Sequence, residues 1–290
     1  MTCCGCGMCV LAERKGEKGK MIGEFAKKCL ILAAMISICA FQAGAGAEEL
    51  TGRDVMNLED TENEAQDEIM IMSMKLINKR GQERNRKVTF TIKKVNEEDE
   101  NILVRFLEPA DVAGVGLLTL EHAATEDDQW LYLPALKKER RISSSDQSDN
   151  FMGTDFTYED MKSEKLNDHT YTLLREDKFE GGDCYVVEAV PSTEKQKSES
   201  GYSKREIWIR KDSLLRVHVK YYDKRGEYFK VGNRRDIEEV LPGIFRPNYV
   251  EMKNLKTGHT TELTFEGREL NSGLDDEEFT RRSLKRGVRS

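Results

Sequence analysis

Cysteine is nearly absent from most of this 290-residue chain. Six of the seven, Cys3, Cys4, Cys6, Cys9, Cys29 and Cys39, fall in the first 39 residues, and Cys184 stands alone in the rest. That remainder can form no internal disulfide, so its stability must come from a packed core. The crowded run Cys3–Cys9 lacks the second, spaced ligand pair that closes a structural zinc site. Four histidines, His122, His169, His218 and His259, are scattered without metal spacing, and no His-Glu-x-x-His occurs, so zinc hydrolysis has no support. Nucleophile elbows, Walker sequences and dinucleotide fingerprints are missing too; Ala113-Gly-Val-Gly116 is only a glycine pair. With 34% charged residues and a mean hydropathy of -0.64, a multi-span helical membrane protein is excluded. The net charge of -7 comes with no basic, aromatic-interleaved stretch, which argues against nucleic acid as a partner.

The N-terminal 47 residues read as an export leader. Lys27-Lys28 precede an apolar run, Cys29 to Phe41, that is short for a membrane span, and Ala45-Gly46-Ala47 offers small residues to a signal peptidase. Cleavage before Glu48 is expected, and Met21 would start a leader of more ordinary length. Ile36-Ser37-Ile38 before Cys39 is unlike a lipobox. The chain from Glu48 onward loses six Lys/Arg and three Asp/Glu and keeps 40 against 50, a net charge of -10. Residues 48–290 are expected to form one exported domain, long enough to bury a sizeable core.

Leu50 to Asp60 predicts a short helix, with Thr51 as cap and Asp54 in capping-box position. After it the period falls to two. Strands are predicted over 69–77, 87–93, 101–107, 115–122, 129–133, 171–176, 185–190, 205–210, 214–223, 227–233, 245–254 and 259–266, separated by short polar turns. A short helix carrying Phe279 is expected over 275–282. Many strands with almost no intervening helix predict a mainly β (α+β) fold: a large, strongly curved antiparallel sheet that curls on itself.

A polar, serine-rich segment, Arg140–Asp160, interrupts the meander and carries Phe151, Met152 and Phe156. It reads either as a loop pinned by its aromatics or as a flap over a binding cavity. Arg140 and Arg141 are expected to anchor it through Asp146, Asp149 or Asp155. Glu159-Asp160 and Asp275–Glu278 read as solvated acidic surface.

In the first strand both parities are apolar, Ile69, Ile71 and Ile77 against Met70, Met72, Met74 and Leu76, which predicts apolar contact on both sides. Methionine suits a surface that accommodates ligands of variable shape, and ordinary core is the other reading. Trp130, Tyr132 and Trp208 repeat the two-sided pattern, and Phe90 and Phe106 complete a candidate lipid-binding set with Met70, Met72 and Met74. Acyl chains buried in such a pocket would gain about 0.8 kcal/mol per methylene. No catalytic constellation, metal or cofactor is expected.

The stretch Trp130-Leu-Tyr-Leu-Pro-Ala-Leu-Lys-Lys-Glu-Arg-Arg-Ile142, with Ser143–Asp160 after it, resembles the outer membrane lipoprotein-sorting protein family of the LolA-like group. The resemblance extends to Phe106-Leu-Glu-Pro-Ala-Asp111, Gly114-Val-Gly116 and Leu274–Leu284. It implies an incomplete barrel with a helical lid, in the periplasm, carrying acyl chains of a lipoprotein or lipid. It further implies an inner-membrane donor of the ABC or RND type and an outer-membrane acceptor. A sensor or accessory subunit of such an exporter is the alternative role.

Overall fold

The computed structural model describes residues 49–286. The expected leader, its cysteine cluster and the alternative start at Met21 lie outside them. Helix α1 (Gly52–Thr61) opens on the capping box foreseen between Thr51 and Asp54. Six strands follow as a meander: β1 (Asp67–Ile77), β2 (Glu83–Lys94), β3 (Glu100–Glu108), β4 (Gly116–Leu120), β5 (Asp128–Leu133) and β6 (Lys138–Arg141). A 27-residue connection of short 3₁₀ turns, 142–168, then crosses to β7 (His169–Phe179) and β8 (Gly182–Pro191). Helix α2 (Glu194–Glu199) leads to β9 (Lys204–Arg210), β10 (Arg216–Tyr222), β11 (Tyr228–Leu241), β12 (Ile244–Asn254) and β13 (His259–Leu270). A 3₁₀ turn, Asp276–Phe279, and helix α3 (Arg281–Arg286) complete the described chain.

All 13 strands join one antiparallel sheet in the order β6-β5-β4-β3-β2-β1-β13-β12-β11-β10-β9-β8-β7. Two meanders are thus zipped together by the pairing of β1 with β13, where Met74 faces Leu263. The sheet stays open, with β6 and β7 as its free edges, and the 142–168 connection links those edges. Among the described residues no helix is long and apolar enough to cross a membrane.

Period-two patterning sorts the side chains to two faces. The inner face of β1–β5 carries Met70, Met72, Met74, Leu76, Val88, Val104, Phe106 and Leu131 in one core. On β7–β12 the inner face carries Tyr171, Val187, Ile207, Ile209, Tyr221 and Met252, with Val55 and Met56 of α1 packed on them. The outer face holds two smaller clusters. Leu103 and Leu118 lie beneath Phe279 and Leu284, and Cys184 packs with Val186, Trp208 and Val217.

Three expectations change. The outer side of β1 is not covered: Ile71 is 37% exposed, and Ile69 and Ile77 are only half-buried. The irregular segment expected from Arg140 begins two residues later, because Arg140 and Arg141 belong to β6, whose Lys-Glu-Arg-Arg sequence has no apolar alternation yet pairs with β5 as an edge. The C-terminal helix is a 3₁₀ turn followed by α3, and α3 roofs the outer face of β4 and β5, so it is no part of an inner lid.

Candidate functional site

The inner face is occupied by the chain's own connection. Phe151 is buried among β1–β5, its ring 5.7 Å from Phe106 and 5.7 Å from Tyr158. Met152 and Met161 pack against the same cluster, and Phe156 inserts into the other half beside Met56 and Tyr221. The aromatics of this segment pack against the sheet, so that it forms an internal plug.

The two halves of the plug are held differently. From Asp155 onward it is tied by buried charge. Asp155 accepts from His259 Nδ1 at 2.6 Å and Thr261 Oγ1 at 2.8 Å. Asp160 meets Lys230 Nζ at 2.8 Å and the Tyr202 hydroxyl. Glu164 bridges Arg205 at 2.8 Å and Arg216 at 2.9 Å, and accepts from Tyr171. Burial opposes ionisation of Asp160 and Glu164, but the facing cations hold both carboxyls below their ordinary range. Glu159 also accepts from Ser200 and the Gly201 N–H. Glu159-Asp160 is therefore not solvated surface: the cations placed at core-parity positions of β9–β11 draw it inward.

The first half, 143–153, has weaker ties. Arg140 reaches Asp146 at 3.6 Å across a largely exposed gap, and Arg86 donates to the Met152 carbonyl at 2.8 Å. Arg141 instead pairs with Asp128 at 2.7 Å. Met152 takes a left-handed φ of 49°, which costs a residue other than glycine about 1–2 kcal/mol. Gly153, at φ 73°, follows it.

Besides a small cavity of about 160 Å³ among Phe156, Asp160, Glu164 and Arg216, two larger ones flank the plug. One, of about 480 Å³, opens beside Leu76, Arg84, Arg86, Met152 and His259. The other, of about 650 Å³, lies at the end of α1 and is lined by carboxylates, Asp60, Glu97, Glu98 and Asp99 among them, with Arg53 and Lys94. Asp60 there is pushed up to about 6 by burial and by Glu59.

The structure brings Met70, Met72, Met74, Phe90 and Phe106 together on the inner face, against Phe151 and Met152. It does not bring Trp130, Tyr132 or Trp208 there. Trp130 and Tyr132 pack on the outer face, and Arg281 lies 3.8 Å above the Trp130 ring. Trp208 is outer as well, with Lys220 at 4.9 Å and Arg175 at 5.4 Å over its ring and Asp177 accepting from Nε1. Each tryptophan is thus shielded by cations. Lys230, Arg205, Arg216 and Tyr202 escaped the sequence reading, although a lysine between Phe229 and Val231 in mid-strand was a signal that a buried anion faces it.

A family model described only as an uncharacterized protein matches residues 98–286. No curated protein matches the chain. Among solved structures, an outer membrane lipoprotein-sorting protein domain from Vibrio parahaemolyticus is 32% identical, with a TM-score of 0.76 over 81% of this chain and 98% of that one. A DUF1329 family protein from Desulfovibrio piger is 30% identical, with a TM-score of 0.75 over 80% of this chain and 97% of that one. A LolA superfamily protein from Nitrosomonas europaea, 20% identical at a TM-score of 0.63 over 81% and 99%, shares the fold. With the open curved sheet, these likenesses establish that the chain belongs to the family of the outer membrane lipoprotein-sorting and DUF1329 proteins, and that it shares its fold with the LolA superfamily.

Proposed function

We propose that this protein is a periplasmic carrier that takes acyl chains of a lipoprotein or lipid onto the inner face of its sheet and releases them toward the outer membrane. The observation that carries this reading is the methionine-lined face of β1 covered by a plug whose first half is weakly tied. An acyl chain entering beside Leu76, Arg86 and Met152 would displace Phe151 and Met152, while the ion-paired segment Asp155–Glu164 stays as the fixed end. Apolar contact is then exchanged for apolar contact. A chain of a dozen methylenes gains about 10 kcal/mol on burial, against about 2–3 kcal/mol for each large side chain re-exposed and the ordering of the cargo. The balance is moderate, as a carrier that must also release requires. Arg84 and Arg86 at the mouth suit an anionic or carbonyl-bearing head group.

The proposal includes cleavage of a leader before Glu48, an inner-membrane transporter of the ABC or RND type as donor, and an outer-membrane acceptor. It involves no covalent chemistry. Native mass spectrometry with lipid extraction on protein purified from its host tests it. A co-purified lipidated protein or a discrete lipid class supports the reading and names the cargo. A protein that arrives empty and takes up no acyl probe overturns it in favour of a sensor acting on a membrane partner.

A further inference from the structure

The charge of this acidic chain is unevenly placed. Edge strand β6 and the turn before it carry Lys137, Lys138, Arg140 and Arg141, and α3 beside them carries Arg281, Arg282, Lys285 and Arg286. All eight are exposed. Carboxylates offset part of this: Glu139 is shared by Arg281 and Lys285, Asp128 meets Arg141, Asp146 meets Arg140, and the acidic turn Asp275–Glu278 leads into α3, with Asp276 and Glu278 directed to Lys93 and Arg105. Among the described residues, no carboxylate pairs with Lys137, Lys138, Arg282 or Arg286. At the tip of the same edge stands Leu136, at 62% the most exposed large apolar side chain among the described residues. It follows Pro134 and Ala135 and precedes the left-handed turn at Lys137, φ 50°.

We infer that the β6–α3 edge docks this protein on an anionic phospholipid surface, with Leu136 entering the head-group layer and the surrounding lysines and arginines meeting lipid phosphates. Charge complementarity selects the partner: a patch with excess positive charge on a chain of net charge -7 will approach an anionic bilayer edge-on and keep its acidic remainder turned away. An acidic protein fits less well. A stable protein interface needs roughly 800 Å² per partner around aromatic or aliphatic anchors. Here one leucine is the apolar content, and the neighbouring Trp130 is already roofed by Arg281. A membrane requires only cations and a shallow apolar anchor, together sufficient for reversible attachment. The edge also runs directly into Ile142 and the weakly tied half of the plug, so docking would bring the movable segment to the lipid. The docking itself does not depend on the carrier reading.

The test is flotation of the protein, in the form its host accumulates, with vesicles of phosphatidylglycerol and phosphatidylcholine against vesicles of phosphatidylcholine alone, without added cargo. Wild type is expected to float with the anionic vesicles, and salt at about 0.5 M should release it. Lys137→Glu/Lys138→Glu and Arg282→Glu/Arg286→Glu should each weaken partitioning about tenfold or more, and Leu136→Asp severalfold. These side chains are exposed, and circular dichroism checks that each variant is folded. Wild type that ignores anionic vesicles, or folded variants that bind them equally well, would overturn the inference. Capture of polyglutamate by wild type but not by the variants, with vesicle binding unchanged among them, would overturn it in favour of an acidic protein partner. Failure of lipid extraction to find cargo would leave the vesicle result intact, so the two proposals fail separately.

Discussion

Lys230 on β11 stands opposite Asp160 of the plug, Nζ to Oδ2 at 2.8 Å, with both side chains at least nine-tenths buried. Removing one partner of such a pair leaves an uncompensated buried charge. Lys230→Met is therefore expected to lose about 3–5 kcal/mol of unfolding free energy at pH 7, read from urea midpoints. Burial alone would raise the Asp160 carboxyl, and the ammonium pulls it down. Because its folded pKa is lowered, its contribution is present above the unfolded value near 4 and disappears as pH falls below it. The double variant Lys230→Met/Asp160→Asn should regain part of the loss. A single variant as stable as wild type would show that the pair does not anchor the plug.

Glu121 makes the opposite prediction. It is 3% exposed and accepts from the Ser163 N–H at 2.7 Å and the Glu100 N–H at 3.0 Å. Burial is the main cause that pushes its carboxyl up to about 7, despite those bonds, and Glu100 and Asp127 add to it. Its folded pKa lies above the unfolded 4.5, so the stability it gives is complete below about pH 4.5 and is lost as pH rises through 7. The loss is on the order of 3 kcal/mol. Glu121→Gln cannot ionise, so the fall in stability between pH 5 and pH 8 should shrink by most of that amount. Its absolute stability at pH 5 will be somewhat lower, since an amide satisfies only one of the two N–H donors. An unchanged difference between the two pH values would mean that Glu121 is not strained by ionisation.

Much of this architecture was legible because alternation is a local property. The strands, the turns and the Thr51–Asp54 cap came directly from residue order, and Met70, Met72 and Met74 were correctly grouped on one face. Alternation does not say which face is inner. Trp130, Tyr132 and Trp208 were grouped with the methionines because they are large and apolar, yet α3 and overlying cations give the outer face its own cover. The plug was legible only as a long loop. What fixes it is pairing across 70 residues between Asp160 and Lys230 and across 41 between Glu164 and Arg205, and no short window contains both partners. Strand β6 was missed because an edge needs no buried alternation once its neighbour supplies the hydrogen bonds.

Phe151→Ala should separate the plug's two roles. Phe151 is 1% exposed and contacts the Phe106 and Tyr158 rings, so truncation leaves a cavity and costs about 3–5 kcal/mol. If acyl chains compete with this side chain for the inner face, the same variant should bind a fluorescent acyl probe more tightly, because less apolar contact must be displaced. Met72→Asp should have the reverse effect on binding, since a carboxylate would be placed on the surface that meets the chain. A probe affinity unaffected by Phe151→Ala in folded protein would place the acyl site elsewhere.

Gly52 tests the seating of α1, the second element covering the inner face. In an isolated helix, alanine is favoured over glycine by about 1 kcal/mol, so Gly52→Ala would ordinarily stabilise. Here a Cβ would lie 2.7 Å from the backbone nitrogen of Leu173 and 2.7 Å from the carbonyl carbon of Thr172. These are main-chain atoms of β7 held in its pairing with β8, so neither can swing aside as a side-chain tip could. The helix itself must shift, and with it Val55 and Met56, both fully buried in the core of this half. Overpacking of this kind costs about 1–3 kcal/mol and reverses the sign expected from helix propensity. A lowered thermal midpoint for Gly52→Ala, with the Arg216–Glu59 pair at the far end of α1 as the next contact to loosen, is the expected result. A raised midpoint would mean that α1 rides on the sheet with room to spare.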